Sequence, residues 1–282
     1  MRGKGGRVVE EVAADEHEGD ILLDRKEARQ CRGLAARLNY ISGDRVDIQY
    51  AVKESARQMA NPRLSSMVMV KRIAKYLLGR PRLVMKFQWQ SMPSTISTYT
   101  DSDWAGCPRT ARSTSGGIVM IGSHVIKSYS RQQKTVALSS AEAELHAAVA
   151  ASAESLGVVG FCSDMGFEIS GEVYADSSAA IGIAQRSGMG QVRHLKVQAL
   201  WVQDVRSTGR LSYKKVLGSR NPADVLTKHV PKDLLDAHMT TLGVDFRGGR
   251  AAAAPSLDAI GVQPWDVTSW VEVQLETKGC ML

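Results

Sequence analysis

Residues 94–130 read STISTYTDSDWAGCPRTARSTSGGIVMIGSHVIKSYS, and the alternation within them decides the fold class. Thr95–Thr100 alternates at the period of a strand. Gly117–Ile121 and His124–Ser130 are two more strands, with Gly122-Ser123 between them as a tight hairpin turn. The period then changes. Leu145, Ala148, Val149, Ser152 and Leu156 recur at helical spacing, which predicts a long helix over Ala141–Met165. Ser139 stands at its N-cap, and Glu142, three residues on, would complete a capping box. Further along, Glu172–Ala175 reads as a strand, Ser177–Gln185 and Leu195–Val205 as helices and Leu211–Val216 as a strand. Ala223–Lys228 reads as the opening of a last helix. This order predicts an α/β fold, a mixed sheet with helices on its faces.

Upstream, residues 25–80 carry helical periods in Leu34, Leu38 and Ile41, then Val46, Ile48, Ala51 and Val52, then Met67, Val70, Ile73, Ala74 and Leu77. Gly43-Asp44 and Asn61-Pro62 separate them as loops. Gly79 closes the third helix, where a left-handed cap is expected, and Leu83–Trp89 suggests a short strand. Residues 1–24 are basic and then acidic, a disordered tail by composition. Four regions follow: the tail 1–24, a helical segment 25–90, an α/β domain 94–245 and a weakly structured tail 246–282.

The 282 residues are enough for one substantial core or two small ones. Hydrophobic residues make up 44%, which separates the chain from disordered sequences. The net charge of +7 fits a polyanionic partner without requiring one. Cys31, Cys107, Cys162 and Cys280 show neither zinc-ligand spacing nor a dense framework, so reduced thiols in an intracellular chain are expected. No apolar run approaches a membrane span, and the N-terminus lacks the apolar core of a secretory signal.

Four acids sit where ligands gather in α/β sheets, at strand or helix ends. Asp101 closes the first strand, and Glu144 lies in the first turn of the long helix. Asp176 follows the fourth strand, and Asp224 lies in the first turn of the last helix. An acid in a first helical turn also has a plain explanation, since it complements the helix dipole. Four of them in this order suit a different task. Hydrolysis of a phosphodiester by two Mg²⁺ ions needs hard oxygen ligands close together.

The strings that carry these acids are YTDSDWAGCPRTARSTSGG (99–117), KTVALSSAEAEL (134–145), YADSSAAIGIAQ (174–185), RHLKVQALWVQD (193–204) and NPADVLTKHV (221–230). In this order they resemble the ribonuclease H region of copia-type retrotransposon Pol polyproteins. LNYISGDRVDIQYAV (38–52) and KRIAKYLLG (71–79) resemble the segment just upstream there, the thumb and connection of the reverse transcriptase. The resemblance implies a ribonuclease H-like mixed five-stranded sheet flanked by helices and preceded by a small helical segment. It implies catalysis and metal coordination by Asp101, Glu144, Asp176 and Asp224, with two Mg²⁺ ions, or Mn²⁺ in their place. Asp103 rivals Asp101, because a strand's period of two puts both on one face.

The implied activity is cleavage of the RNA strand of RNA–DNA hybrids, in the company of the reverse transcriptase portion of the same polyprotein. An inactive remnant that keeps the fold as a nucleic-acid-binding or scaffold module is the alternative. A cytoplasmic location, in a virus-like particle or the cytosol, follows from the resemblance alone, with the nucleus as a second possibility. No membrane partner is expected. Two departures stand out. The loop 217–222 has no His, and no Asp-Asp pair of a polymerase palm is present, so the chain looks like a piece of a longer polyprotein or a gene derived from one. For the nucleic acid, Arg109, Arg112, Arg131, Lys134 and Arg193 are candidate phosphate contacts, and Ser113, Thr114 and Ser115 candidate hydrogen-bond donors. Trp104 reads as packing, and His194 as a structural residue rather than a ligand.

Overall fold

A computed structural model describes residues 20–188 and 196–249. Helix α1 (Arg25–Ile41) begins at a capping box in which Asp24 accepts from the Glu27 N–H at 2.7 Å. With α2 (Gln49–Ala56) and α3 (Leu64–Gly79) it encloses a core of Cys31, Ala35, Leu38, Ile48, Val52, Val70 and Ile73. Gly79 is the last residue of α3 and does not take the left-handed conformation expected of it. The chain runs on through Arg80 (φ −133°), whose guanidinium donates twice to Asp236.

Strand β1 (Arg82–Met85) is shorter than the expected Leu83–Trp89. The side chain of Gln90 instead holds the hairpin turn, accepting from the Ser123 N–H at 3.0 Å. The main sheet follows in β2 (Thr95–Asp103), β3 (Thr114–Ile121) and β4 (His124–Gln132), all antiparallel, with Gly122 at φ +59° supplying the tight turn. After α4 (Ser140–Asp164), β5 (Ser170–Ala175) pairs parallel to β2. After α5 (Ser178–Gln185) and α6 (Lys196–Ser207), β6 (Leu211–Lys215) pairs parallel to β5. The order β4-β3-β2-β5-β6, three antiparallel strands and two reached by helical crossovers, is a ribonuclease H-like sheet.

Helix α4 lies close to the sheet because its inner face is small. Ala143, Ala147, Ala148, Ala151, Ser152 and Ser155 are all buried. The Ser152 hydroxyl shares a 2.8 Å hydrogen bond with Tyr213, so its polar group is satisfied in the core. Length and composition alone would let α4 cross a membrane, with a mean hydropathy of 1.4, contrary to the expectation that no apolar run approaches a span. Here it serves as the core helix, with Leu145 and Ala151 packed against Val173, Val202 and Tyr213. Its cap is one-sided. Ser139 accepts from the Glu142 N–H, but the Glu142 carboxylate accepts from the Leu138 N–H rather than that of Ser139.

The expected last helix is two elements. Pro222–Leu226 is a 3₁₀ turn, and α7 (Lys232–Thr241) starts only after Pro231. The turn ends at Leu226, and Val230, which precedes Pro231, is disfavoured as a helical residue. Strand β7 (Val244–Arg247) then pairs antiparallel with β1 and extends order past residue 245.

The 3₁₀ turn lies directly on β3. A Cβ at Gly116 would meet Leu226 Cβ and Thr227 Cγ2 at 2.8 Å and the Ala223 carbonyl at 3.0 Å. Gly116→Ala is therefore expected to destabilise the fold by about 1–3 kcal/mol, the usual cost of overpacking. Urea unfolding measures it, and a midpoint equal to that of the wild type would show that the turn can move away.

Candidate metal centre

Parallel pairing of β2 with β5 sets Thr100 opposite Ala175, so Asp101 and Asp176 emerge side by side at the ends of neighbouring strands. Glu144 comes from α4 above them. It is the fifth residue of that helix, beyond the first turn, and the helix-dipole explanation falls to Glu142 instead. One carboxylate oxygen from each of Asp101, Glu144 and Asp176 lies within 4.8 Å of the others.

Asp224, the fourth expected acid, is not in this group of three; Lys228 lies between it and Asp101. The Lys228 ammonium stands 3.0 Å from Asp224 and 3.8 Å from Asp101. The rest of the NPADVLTK string holds this arrangement. Asn221, fully buried, donates to the Thr100 carbonyl at 2.9 Å and accepts from the Ala223 N–H at 3.2 Å. Thr227 donates its hydroxyl to Asp101, and Ser102 donates to Glu144 at 3.0 Å. Asn221, Thr227 and Lys228 were not among the expected site residues. The four-residue spacing of Asp224 and Lys228 was the available signal.

Asp103 goes elsewhere. The chain turns back after Trp104 through Ala105 at φ +55°, and the Asp103 carboxylate lies against the Gly106 backbone. A Cβ on Gly106 would lie 1.7 Å from Asp103 Oδ2. Trp104 is half-exposed and donates its ring N–H to the Ala137 carbonyl, tying this loop to the approach to α4.

Burial dominates the electrostatics. It lifts Asp101 to about 7, with the Asp224 charge adding and the Thr227 hydroxyl opposing. It lifts Glu144 to about 8, with the Asp101 charge adding. Asp176 also rises, through burial and then Asp224. For Lys228, burial works against the ammonium but the Asp101 and Asp224 charges overcome it, and its pKa rises. Two buried oxygens, Glu144 Oε2 and Asp224 Oδ1, have no hydrogen-bond partner. An all-oxygen donor set with unsatisfied oxygens fits a hard divalent cation.

The expected nucleic-acid contacts divide. Arg109, Arg112 and Lys134 are exposed. Arg131 is half-exposed, paired with Glu154 at 2.8 Å and placed over the Tyr129 ring. Ser113, Thr114 and Ser115 are buried. Their hydroxyls accept from the Ala105 N–H, Lys53 and Gln133, so they are framework rather than surface. Arg193 and His194 lie outside the described residues. Cys31, Cys107 and Cys162 are free and buried.

No protein-family model matches the chain. By sequence it is 28% identical over 231 residues to the retrovirus-related Pol polyprotein from transposon RE1 of Arabidopsis thaliana, which covers 81% of this chain and 16% of that one. It is 30% identical over 202 residues to the retrovirus-related Pol polyprotein from transposon TNT 1-94 of Nicotiana tabacum, covering 71% and 15%. The chain thus spans about one-sixth of the length of these relatives. Among solved structures, the N-terminal RNase H domain of a Mycobacterium tuberculosis protein aligns with a TM-score of 0.37 at 19% identity, covering 54% of this chain and 99% of that one.

The raised carboxylates fix a pH dependence. Unfolded Asp and Glu titrate near 4, whereas folded Asp101 and Glu144 titrate near 7 and 8. The folded form thus holds the extra protons, and the stability they confer is complete below about pH 4 and lost as pH rises through 7 to 8. Metal-free melting temperature is expected to fall between pH 5 and pH 8.5. Mg²⁺ is expected to restore it more at pH 8.5 than at pH 6. Asp101→Asn should raise the metal-free melting temperature at pH 8.5 by about 3–6 °C, the shift of roughly 1–2 kcal/mol in a domain of this size. Thermal melts followed by circular dichroism test this, and a metal-free stability that rises with pH would contradict it.

Proposed function

We propose, for a chain that belongs with the copia-type retrotransposon Pol polyproteins, that it is a divalent-metal-dependent nuclease of the ribonuclease H type cutting the RNA strand of RNA–DNA hybrids. The observation that carries this reading is the convergence of Asp101, Glu144 and Asp176 within 4.8 Å at one end of the sheet. Asp224 stands beside this group, 3.0 Å from the Lys228 ammonium.

Asp101, Glu144, Asp176 and Asp224 would hold two Mg²⁺ ions, which supply a nucleophilic water and stabilise the leaving oxygen. The remaining work belongs to the protein's own groups. Thr227 and Ser102 each fix one carboxylate oxygen, of Asp101 and Glu144 respectively. Lys228 is half-exposed, so its ammonium meets solvent as well as the acids. It can offset the phosphate's charge where charge builds in the transition state. Exposed Arg109, Arg112 and Lys134 add sequence-independent attraction for a nucleic-acid backbone. The hybrid as substrate rests on kinship and fold, since such duplexes are read through groove shape and 2′-hydroxyls.

The full chain, incubated with a labelled RNA–DNA hybrid, is expected to cut the RNA strand in Mg²⁺ or Mn²⁺ and to leave duplex DNA whole. Asp176→Asn and Glu144→Gln should each slow cleavage roughly 100-fold or more, about 3 kcal/mol of transition-state stabilisation. A folded protein that binds the hybrid and leaves it intact in both ions would be a binding or scaffold module instead.

A further inference from the structure

Helix α2 lies outside the five-stranded sheet, yet its side chains reach the strand ends that carry the acids. Lys53 Nζ donates to Thr114 Oγ1 at 2.7 Å, and Thr114 is the ladder partner of Asp103. The Lys53 side chain is only 12% exposed, paired with Glu54 at 2.5 Å. One turn on, Arg57 pairs with Glu54 at 2.7 Å and donates to the Cys107 sulfur, in the loop that captures Asp103. Tyr50 packs edge-on against His229, the neighbour of Lys228, with ring centroids 4.9 Å apart, and it also carries the Lys53 ammonium 4.6 Å from its centroid.

Asp101 and Asp103 are two residues apart on one strand, and either carboxylate can serve as a metal ligand. Only Asp101 is in the cluster. The Asp103 carboxylate lies against Gly106, and the Lys53 ammonium, bonded to the Thr114 hydroxyl directly across the ladder, is the strongest cation acting on it, with the Glu54 charge opposing. We propose that Lys53 is a positioning residue for the metal centre, holding Asp103 on the loop 104–107 so that Asp101 alone of the two enters the cluster. The helical segment is then part of the site rather than a neighbouring module. This rests on the cluster being a metal centre.

Removing Lys53 takes away the strongest cation near Asp103, leaves the Glu54 charge to repel it, and frees it to turn toward the cluster. The added negative charge attracts a cation while the ligand geometry is lost. The full chain carrying Lys53→Met is therefore expected to bind Mn²⁺ about threefold more tightly, read by electron paramagnetic resonance, and to cut the hybrid about tenfold more slowly, with KM within twofold. Lys53→Arg keeps the charge and should restore both. Asp103→Asn alone should leave both within threefold of wild type, and added to Lys53→Met it should return both to its own level, as coupling through one partner requires. A purely structural loss would weaken Mn²⁺ binding and would not be suppressed by Asp103→Asn. Lys53→Gln, which keeps the Thr114 hydrogen bond without the charge, serves if Lys53→Met does not fold, and should behave in the same way.

The inference is overturned if Lys53→Met turns over within twofold of wild type, or if the double variant stays as slow as Lys53→Met. If the wild-type chain does not cut the hybrid, the hybrid reading fails by itself. The Mn²⁺ arm then decides the role of Lys53: tighter binding that reverts in the double variant supports it, and an unchanged midpoint sinks it.

Discussion

Carboxylates repel, and repel most where water is excluded. Asp101 and Asp224 are buried, and Glu144 and Asp176 are partly so, with the half-exposed ammonium of Lys228 as the cation in contact with two of them. Such a group is costly in the absence of a cation, and the surrounding structure has to supply the stability that the group withdraws. The sheet topology meets this demand. Placing β2 at the centre, antiparallel to β3 and parallel to β5, brings Asp101 and Asp176 to one edge on adjacent strands. The small inner face of α4 then allows the helix close enough to deliver Glu144. The acids come from four elements that share little but this end of the sheet.

The connection between Asp101 and Asp224 spans most of the domain, and beside the Lys228 ammonium it is made by uncharged groups. Asn221 bonds to the strand backbone one residue before Asp101, and Thr227 bonds to Asp101 itself. Gly116, the ladder partner of Asp101, removes the side chain that would keep the 3₁₀ turn away. A proline at the first position of that turn gives up an N–H that would otherwise need a partner. Each of these contacts holds one carboxylate against another, and that is the work a site of fixed spacing requires of its supports.

What was legible in the sequence follows the same division. Alternation located β2, β3 and β4, and the helical period located α4 to within a residue at each end, because both are local signals. The strings around the acids were legible as a family pattern. Features that depend on distant partners were not. Strand β7 has four residues, and its partner β1 lies some 160 positions earlier. Ser113, Thr114 and Ser115 look like surface donors until the register buries them against Lys53, Gln133 and the Ala105 N–H. The first-turn position given to Glu144 failed because the helix starts at Ser140, and the helix expected from Ala223 is a 3₁₀ turn that ends at Leu226.

Asp101 and Asp103 show the limit most clearly. A strand's period of two gives both the same side, and no local rule separates them. The turn beyond the strand, at Ala105, lays Asp103 against Gly106, while Asp101 stays in the cluster. Sequence can therefore nominate acids for a metal centre, while the choice among close rivals belongs to groups that touch no metal. In this chain the tight turn at Ala105 and Gly106 is what separates two carboxylates that the strand period leaves equivalent.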